Sequence, residues 1–130
     1  MKIAHIGLIA SSEKKADQFY LNLLGLKKSG PKKVEAYLAK NLFNLNQEVI
    51  YLSYFNENIC FEIFISPQIK PKLTPHHICL EIDNLENFLE QCSALGLPVK
   101  RIIKGEKEII FISDFDGHLF EIKKAPLHLA

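Results

Sequence analysis

An α+β fold built from two βαβββ modules is predicted by three features of this 130-residue chain. The first is an internal repeat: His5-Ile6-Gly7-Leu8 opens one copy and His77-Ile78-Cys79-Leu80 the other, while Leu24-Gly25-Leu26 and Leu95-Gly96-Leu97 close the same passage in each. The second is a later echo, Cys60-Phe61-Glu62-Ile63-Phe64 against Leu119-Phe120-Glu121-Ile122-Lys123. The third is the hydrophobic period, which passes from alternation to helical spacing and back within each copy, as a strand, a helix and further strands require. Each half starts on a strand with a His and ends on a strand with a Glu.

In chain order, Lys2 to Ala10 reads as a strand, with Ile6 and Leu8 on one face and Ile3, His5 and Gly7 on the other. Ser11 or Ser12 caps the following helix and Glu13 suits its first turn. Ala16, Phe19, Tyr20, Leu23 and Leu24 form its buried stripe, and Gly25 stops it. Lys27 to Leu45 has the weakest pattern. Ser29-Gly30-Pro31 signals a turn, Val34 to Leu38 suits a strand or a short helix, and Ala36 to Leu45 suits a helical turn or a mobile flap. Glu48 to Phe55 and Ile59 to Ile65 read as a hairpin about Asn56-Glu57-Asn58.

Prolines at 67, 71 and 75 mark a linker over 67–75, which divides a first module, 1–66, from a second, 76–124, with a tail over 125–130. The second module repeats the order: strand 76–82, helix 84–95, strand Val99 to Ile103, a Gly105 turn, strand Glu108 to Ser113, a turn over Asp114 to Gly117, and strand His118 to Lys123. The two modules are expected to close into a cupped, partly open, barrel-like sheet with the helices outside.

Composition removes several function classes. Hydrophobic residues make up 48% and charged residues 24%, as in an ordinary globular domain, and the net charge of +1 gives no pull toward nucleic acid or an acidic membrane. Arg101 is the single arginine, too few for a phosphate-reading surface. Three cysteines without Cys-x-x-Cys spacing rule out a disulfide framework or a zinc knuckle. With no signal-peptide core before the first strand and no membrane-length apolar run, a cytoplasmic domain is expected.

The chemistry is expected on the strand faces. Opposite His5, Glu62, His77 and Glu121 stand Ile6 and Leu8, Phe61 and Ile63, Ile78 and Leu80, and Phe120 and Ile122. Those apolar faces need the helices as cover, so the His and Glu side chains are expected on the uncovered side. Two imidazoles and two carboxylates converging there suit a divalent first-row metal such as Ni, Zn, Co, Mn or Fe, one ion per site. Alternation turns His76 away from His77, toward the helix with Ile78 and Leu80, as an edge or core residue, and leaves His77 as the expected ligand. Cys60 and Cys79 share the faces of Glu62 and His77 and read as small apolar residues.

At these residues, and at Asp114-Phe115-Asp116-Gly117-His118-Leu119-Phe120-Glu121, the sequence resembles the vicinal oxygen chelate superfamily, the glyoxalase/bleomycin resistance/dioxygenase group. The full His5, Glu62, His77 and Glu121 set is most similar to glyoxalase I and methylmalonyl-CoA epimerase. That resemblance implies a metal-dependent lyase or isomerase that takes a proton from beside a carbonyl, with a Lewis-acid ion to stabilise the enolate. It implies Glu121 as the mobile catalytic base, with Glu62 as ligand and second catalytic carboxylate at a place where glyoxalase I-like enzymes accept Gln. The substrate it implies is a small carbonyl compound or its thiol adduct, and the assembly a homodimer. Arg101, Tyr51 and Tyr54 are the candidates for substrate contact; an epimerase's further base would fall to Glu35 or Glu48. A non-catalytic ligand-binding or resistance protein is the alternative of another class.

Overall fold

The computed structural model describes residues 1–68, 70 and 75–126. Most of the expected linker's centre, at 69 and 71–74, and the tail from 127, with His128, lie outside the described residues. The chain forms two compact units, Met1–Lys70 and Pro71–Ala130. Each holds a four-stranded mixed sheet, and among the described residues there are eight strands and three helices, so the α+β expectation holds. No helix among them is long and apolar enough to cross a membrane.

In the first unit, strand β1 (Ile6–Ala10) leads into α1 (Glu13–Ala16), then β2 (Lys27–Val34), α2 (Ala36–Phe43), β3 (Val49–Phe55) and β4 (Cys60–Ile65). The second unit runs β5 (His77–Ile82), α3 (Leu85–Ala94), β6 (Val99–Lys104), β7 (Lys107–Ser113) and β8 (Leu119–Lys124). The two sheets have matching orders, β1-β4-β3-β2 and β5-β8-β7-β6. In each, the first and last strands run parallel at the sheet's one side while the other pairs are antiparallel. The repeat in the sequence is therefore a repeat of topology.

Three local expectations change. β1 begins at Ile6, so His5 stands just ahead of the strand instead of within it. The first helix is α-helical for one turn, capped by Ser12, whose hydroxyl accepts from Lys15 N at 3.2 Å, and then widens into a π-helical stretch over Asp17–Leu23. There Leu24 N donates to Phe19 O at 2.9 Å, an i to i+5 bond. The wider coil lets Phe19 and Tyr20, adjacent in sequence, both turn inward, with ring centroids 4.8 Å apart. Finally, Ser29-Gly30-Pro31 makes no chain reversal. It is a bulge within β2, where the register with β3 shifts between Ser29 and Lys32 and the Gly30–Pro31 peptide is cis. β2 is an edge strand, which is where a strand tolerates a residue lacking an N–H.

Both helix-to-strand corners after the repeat's Leu-Gly-Leu use a left-handed glycine, Gly25 at φ +71 and Gly96 at φ +77, a conformation that costs a side-chain-bearing residue about 1–2 kcal/mol. Behind the sheets lie the apolar faces expected from alternation. Phe61 and Ile63 pack under the first helix, with the Tyr20 ring 5.1 Å from Phe61 and 5.6 Å from Tyr54. Phe120 and Ile122 are buried with Phe88, Leu89 and Cys92 of α3, whose N-terminus Asn84 caps by accepting from Asn87 N.

One polar network ties the first helix to its sheet. The Tyr54 hydroxyl donates to Asp17 at 2.7 Å, and Lys28 Nζ bridges Asp17, at 2.9 Å, and Glu13. Burial, then the bond to Asp17, holds the Tyr54 phenol well above its usual range. An unfolded tyrosine ionises near pH 10, so this contribution is whole below about pH 10 and is lost as pH rises beyond it. Tyr54→Phe is expected to cost about 1.5–2 kcal/mol at pH 8, the low end for a hydrogen bond to a charged group because Asp17 keeps Lys28. Urea midpoints at pH 8 and pH 10.5 check it. The variant should lose part of the wild type's alkaline destabilisation, and equal stability at pH 8 would contradict the assignment.

Candidate metal-binding His–Glu pairs

The uncovered face of the first sheet carries Gly7 and Ile9 of β1, Cys60, Glu62 and Phe64 of β4, and Tyr51 and Ser53 of β3, as the strand registers align them. His5, just ahead of β1, brings its Nε2 to 3.3 Å from Glu62 Oε1. On the second sheet His77 Nε2 stands at the same 3.3 Å from Glu121 Oε1. The match extends to register. Glu62 lies opposite Gly7, two residues after His5, and Glu121 lies opposite Cys79, two residues after His77. Both carboxylates are 22% exposed and both imidazoles more so, 49% for His5 and 36% for His77.

His77 is held on two sides. Its Nδ1 lies 2.8 Å from the Pro75 carbonyl oxygen, and its ring stands edge-on to Phe111 with centroids 5.1 Å apart. A carbonyl only accepts, so Nδ1 carries the proton and in the neutral ring Nε2 bears a lone pair. That lone pair faces a carboxylate oxygen, and two acceptors so placed call for a proton or a cation. Ligands about 2.0–2.2 Å from one first-row ion stand about 3.0 Å apart at right angles and about 3.4 Å apart at the tetrahedral angle. The N···O separation of 3.3 Å in each pair lies within that span. A backbone carbonyl behind a ligating histidine is also the usual outer partner of a metal site. The residues present thus fit a divalent ion. Among the described residues no group of three or more His, Cys, Asp and Glu side chains is placed for a metal, and each pair contributes two donors.

The sequence matches the family model for the Glyoxalase/Bleomycin resistance protein/Dioxygenase superfamily over residues 2–122. The chain belongs to this superfamily. Solved glyoxalase-superfamily folds resemble it over nearly their whole length. A mutant of the fosfomycin resistance protein FosX from Listeria monocytogenes, in complex with Mn(II) and 1S,2S-dihydroxypropylphosphonic acid, is 20% identical with a TM-score of 0.74, covering 96% of this chain and 93% of that one. A glyoxalase family protein from Enterococcus faecalis is 21% identical at a TM-score of 0.71, with 93% and 95% covered. Another, from Bacillus cereus, is 13% identical at 0.74, with 94% and 92% covered. No curated protein matches the chain in sequence. At these identities the likeness is one of fold.

Within this glyoxalase-superfamily fold two of the expected substrate contacts move elsewhere. Tyr54 is fully buried under the first helix with its hydroxyl committed to Asp17, and so leaves the uncovered face. Arg101 lies opposite buried Ile110, on the α3 side of its sheet, where its guanidinium pairs with Glu86 and Glu108 at 3.2 and 2.7 Å. Tyr51 does lie on the uncovered face, its ring 5.2 Å from Phe64. Glu35 is exposed at the start of α2, and Glu48 pairs with Lys33 at 3.5 Å. Buried Asp114 builds its turn instead of joining the site, its Oδ1 accepting from Asp116 N and His118 N. Cys60 is half-buried and Cys79 exposed, so neither is the buried apolar residue expected; partial desolvation, then Glu62 beside Cys60 and Glu121 beside Cys79, pushes both thiols up.

Sequence reasoning placed Gly7 on the face of His5 but missed Phe64 and Phe111 beside the pairs, and Phe43 against Phe64. Phe64 was within reach of the same period-2 counting, since it follows Glu62 at two residues. His76 is not the edge or core residue of the strand that alternation predicts: β5 begins at His77, so His76 stands ahead of it and is exposed. His76→Ala should keep the protein's metal content while His77→Ala lowers it, measured by elemental analysis of metal-loaded protein. The opposite pattern would mean that His76 is the ligand.

Proposed function

We propose that this protein is a glyoxalase I-type metal-dependent lyase or isomerase, and that His5, Glu62, His77 and Glu121 together hold its ion. The observation that carries the reading is the pair of His–Glu contacts at one distance and one register in both modules. Each pair offers two donors, and a first-row ion held by protein takes about three or four. A set drawn from both modules, within one chain or across a homodimer, meets that number. A bound divalent ion supplies Lewis-acid stabilisation of the negative charge that develops on a substrate oxygen. Glu121 takes the proton from the carbon beside the carbonyl while the C–H electron pair moves toward the carbonyl oxygen. Returning that proton to the neighbouring carbon completes an isomerisation with no external oxidant or reductant. His77, fixed by Pro75 O and Phe111, keeps its Nε2 oriented throughout.

The test is solvent-deuterium exchange at the carbon beside the carbonyl, followed by NMR on metal-loaded protein with an α-oxoaldehyde and a small thiol. Catalysed exchange or isomerisation that chelation abolishes is the expected result. No catalysis on the thiol adduct, with catalysed exchange on a 2-methyl-branched acyl thioester, would favour an epimerase instead. A second reading, a resistance protein that binds or modifies an antibiotic, draws on the FosX likeness. Protection of a fosfomycin-sensitive strain by expression of this chain would favour it.

A further inference from the structure

The repeat is broken in one place, and a cavity lies there. In the second module β6 and β7 are joined by a two-residue turn, Gly105–Glu106, whereas in the first β2 and β3 are joined through α2. That helix ends on Phe43, whose ring meets the Phe64 ring edge-on at 5.4 Å, and Phe64 in turn packs on Tyr51. Gly7 lies beneath: a Cβ there would come to 3.4 Å from Phe64 Cε2, so a larger side chain would enter the space that the ring now borders. The corresponding positions of the second module hold Cys79 and Lys123. Gly7, Leu8, Ile9, Phe43, Leu45 and Phe64 line a cavity of about 240 Å³ that is open on one side, and among the described residues no charged or polar side chain lines it.

We propose that this cavity is a binding site for a neutral, apolar group about the size of one six-membered ring with a short tail, and that it selects the substrate. Size sets the scale of the group that the cavity takes in, since a closed apolar cavity of about 150 Å³ already accepts benzene. Chemistry sets the class: a lining of aliphatic and aromatic carbon offers no partner to a phosphate, a carboxylate or an ammonium, and a charge placed there is left unpaired. Position links it to the pair of the first module. Gly7 lies opposite Glu62, and Phe64 follows Glu62 on the same face. Two residues along a strand span about 6.6 Å, so an occupant reaches the His5–Glu62 pair with a polar end about that far from its apolar centre. Calling the occupant a substrate rests on the proposed function; the binding site itself does not.

The experiment is a fluorine NMR titration of full-length, metal-free protein with para-fluorobenzyl alcohol. Wild type should bind it saturably. Gly7→Leu, which fills the cavity, should weaken binding at least ~10-fold, equivalent to about 1.4 kcal/mol. Phe43→Ala, at a half-exposed helix end, should weaken it about 2–10-fold, the range for one aromatic contact. Leu42→Ala, exposed on the same helix and not part of the lining, should bind as wild type does. Amide spectra report whether each variant is folded, and if Gly7→Leu is not, Phe43→Ala decides. No saturable binding by wild type overturns the assignment, as does wild-type affinity in the folded lining variants or an equal loss in Leu42→Ala. The titration uses neither metal nor turnover, so a failed exchange assay leaves it standing, and its failure leaves the exchange assay standing.

Discussion

Glu121→Gln is expected to retain metal and to lose about 10²–10⁴ in turnover, the usual cost of removing a general base. Gln keeps an amide oxygen where the carboxylate oxygen was, so a ligand survives, but it has no site for the abstracted proton. Geometry explains why the carboxylate, and not its histidine, would be the moving partner. His77 is anchored by Nδ1 on Pro75 O and by its edge contact with Phe111, whereas Glu121 projects from β8 with its carboxylate partly exposed. Glu62→Gln should be milder on the proposed reading, in which Glu121 takes the proton and Glu62 serves the ion as a ligand that Gln can replace. Metal content must be measured beside turnover in both variants, or a lost ion would pass for a lost base. A Glu121→Gln protein that holds its metal and turns over at the wild-type rate would overturn the role.

His5→Ala and His77→Ala should each weaken the ion by more than about 100-fold. The yardstick is the outer-shell partner of a ligand, whose loss typically costs about 10–100-fold in metal affinity; deleting the ligand itself removes both the donor and the reason for its orientation. The neighbouring carboxylates, Glu62 and Glu121, would then face no imidazole at 3.3 Å. Competition against a coloured chelator reads the change. If one variant weakens the ion and the other leaves it at wild-type affinity, the ion belongs to one module alone.

The fold was legible because the duplicated segments bury one face and expose the other. In β4 and β8 the alternation is clean: Phe61, Ile63, Phe120 and Ile122 are buried, and the Glu between each pair is partly exposed. The same alternation put both glutamates beside their histidines, and register confirmed the repeat to the residue. Where neither face is buried, pattern fails. β2 is an edge strand with nearly every residue exposed or half-exposed, so its bulge at Gly30–Pro31 read as a turn. α2 buries only Ala39, while Tyr37, Leu42 and Phe43 are exposed, and without a buried stripe a helix and a flap look alike. Substrate contacts were the least legible. Tyr51 and Tyr54 sit three apart on β3 and so face opposite sides, and nothing in composition tells which side is the wet one. Arg101 drew attention as the single arginine, yet its two carboxylate partners, Glu86 and Glu108, are 15 and 7 residues away in the chain.

The central claim is that the two His–Glu pairs serve one ion. Counting ions per chain by elemental analysis, after expression in medium supplemented with manganese, zinc and nickel, tests it most directly. The account predicts one divalent ion per chain in the wild type and much less than one in both His5→Ala and His77→Ala. Occupancy unchanged in both variants, or two ions per chain lost one at a time, would contradict it.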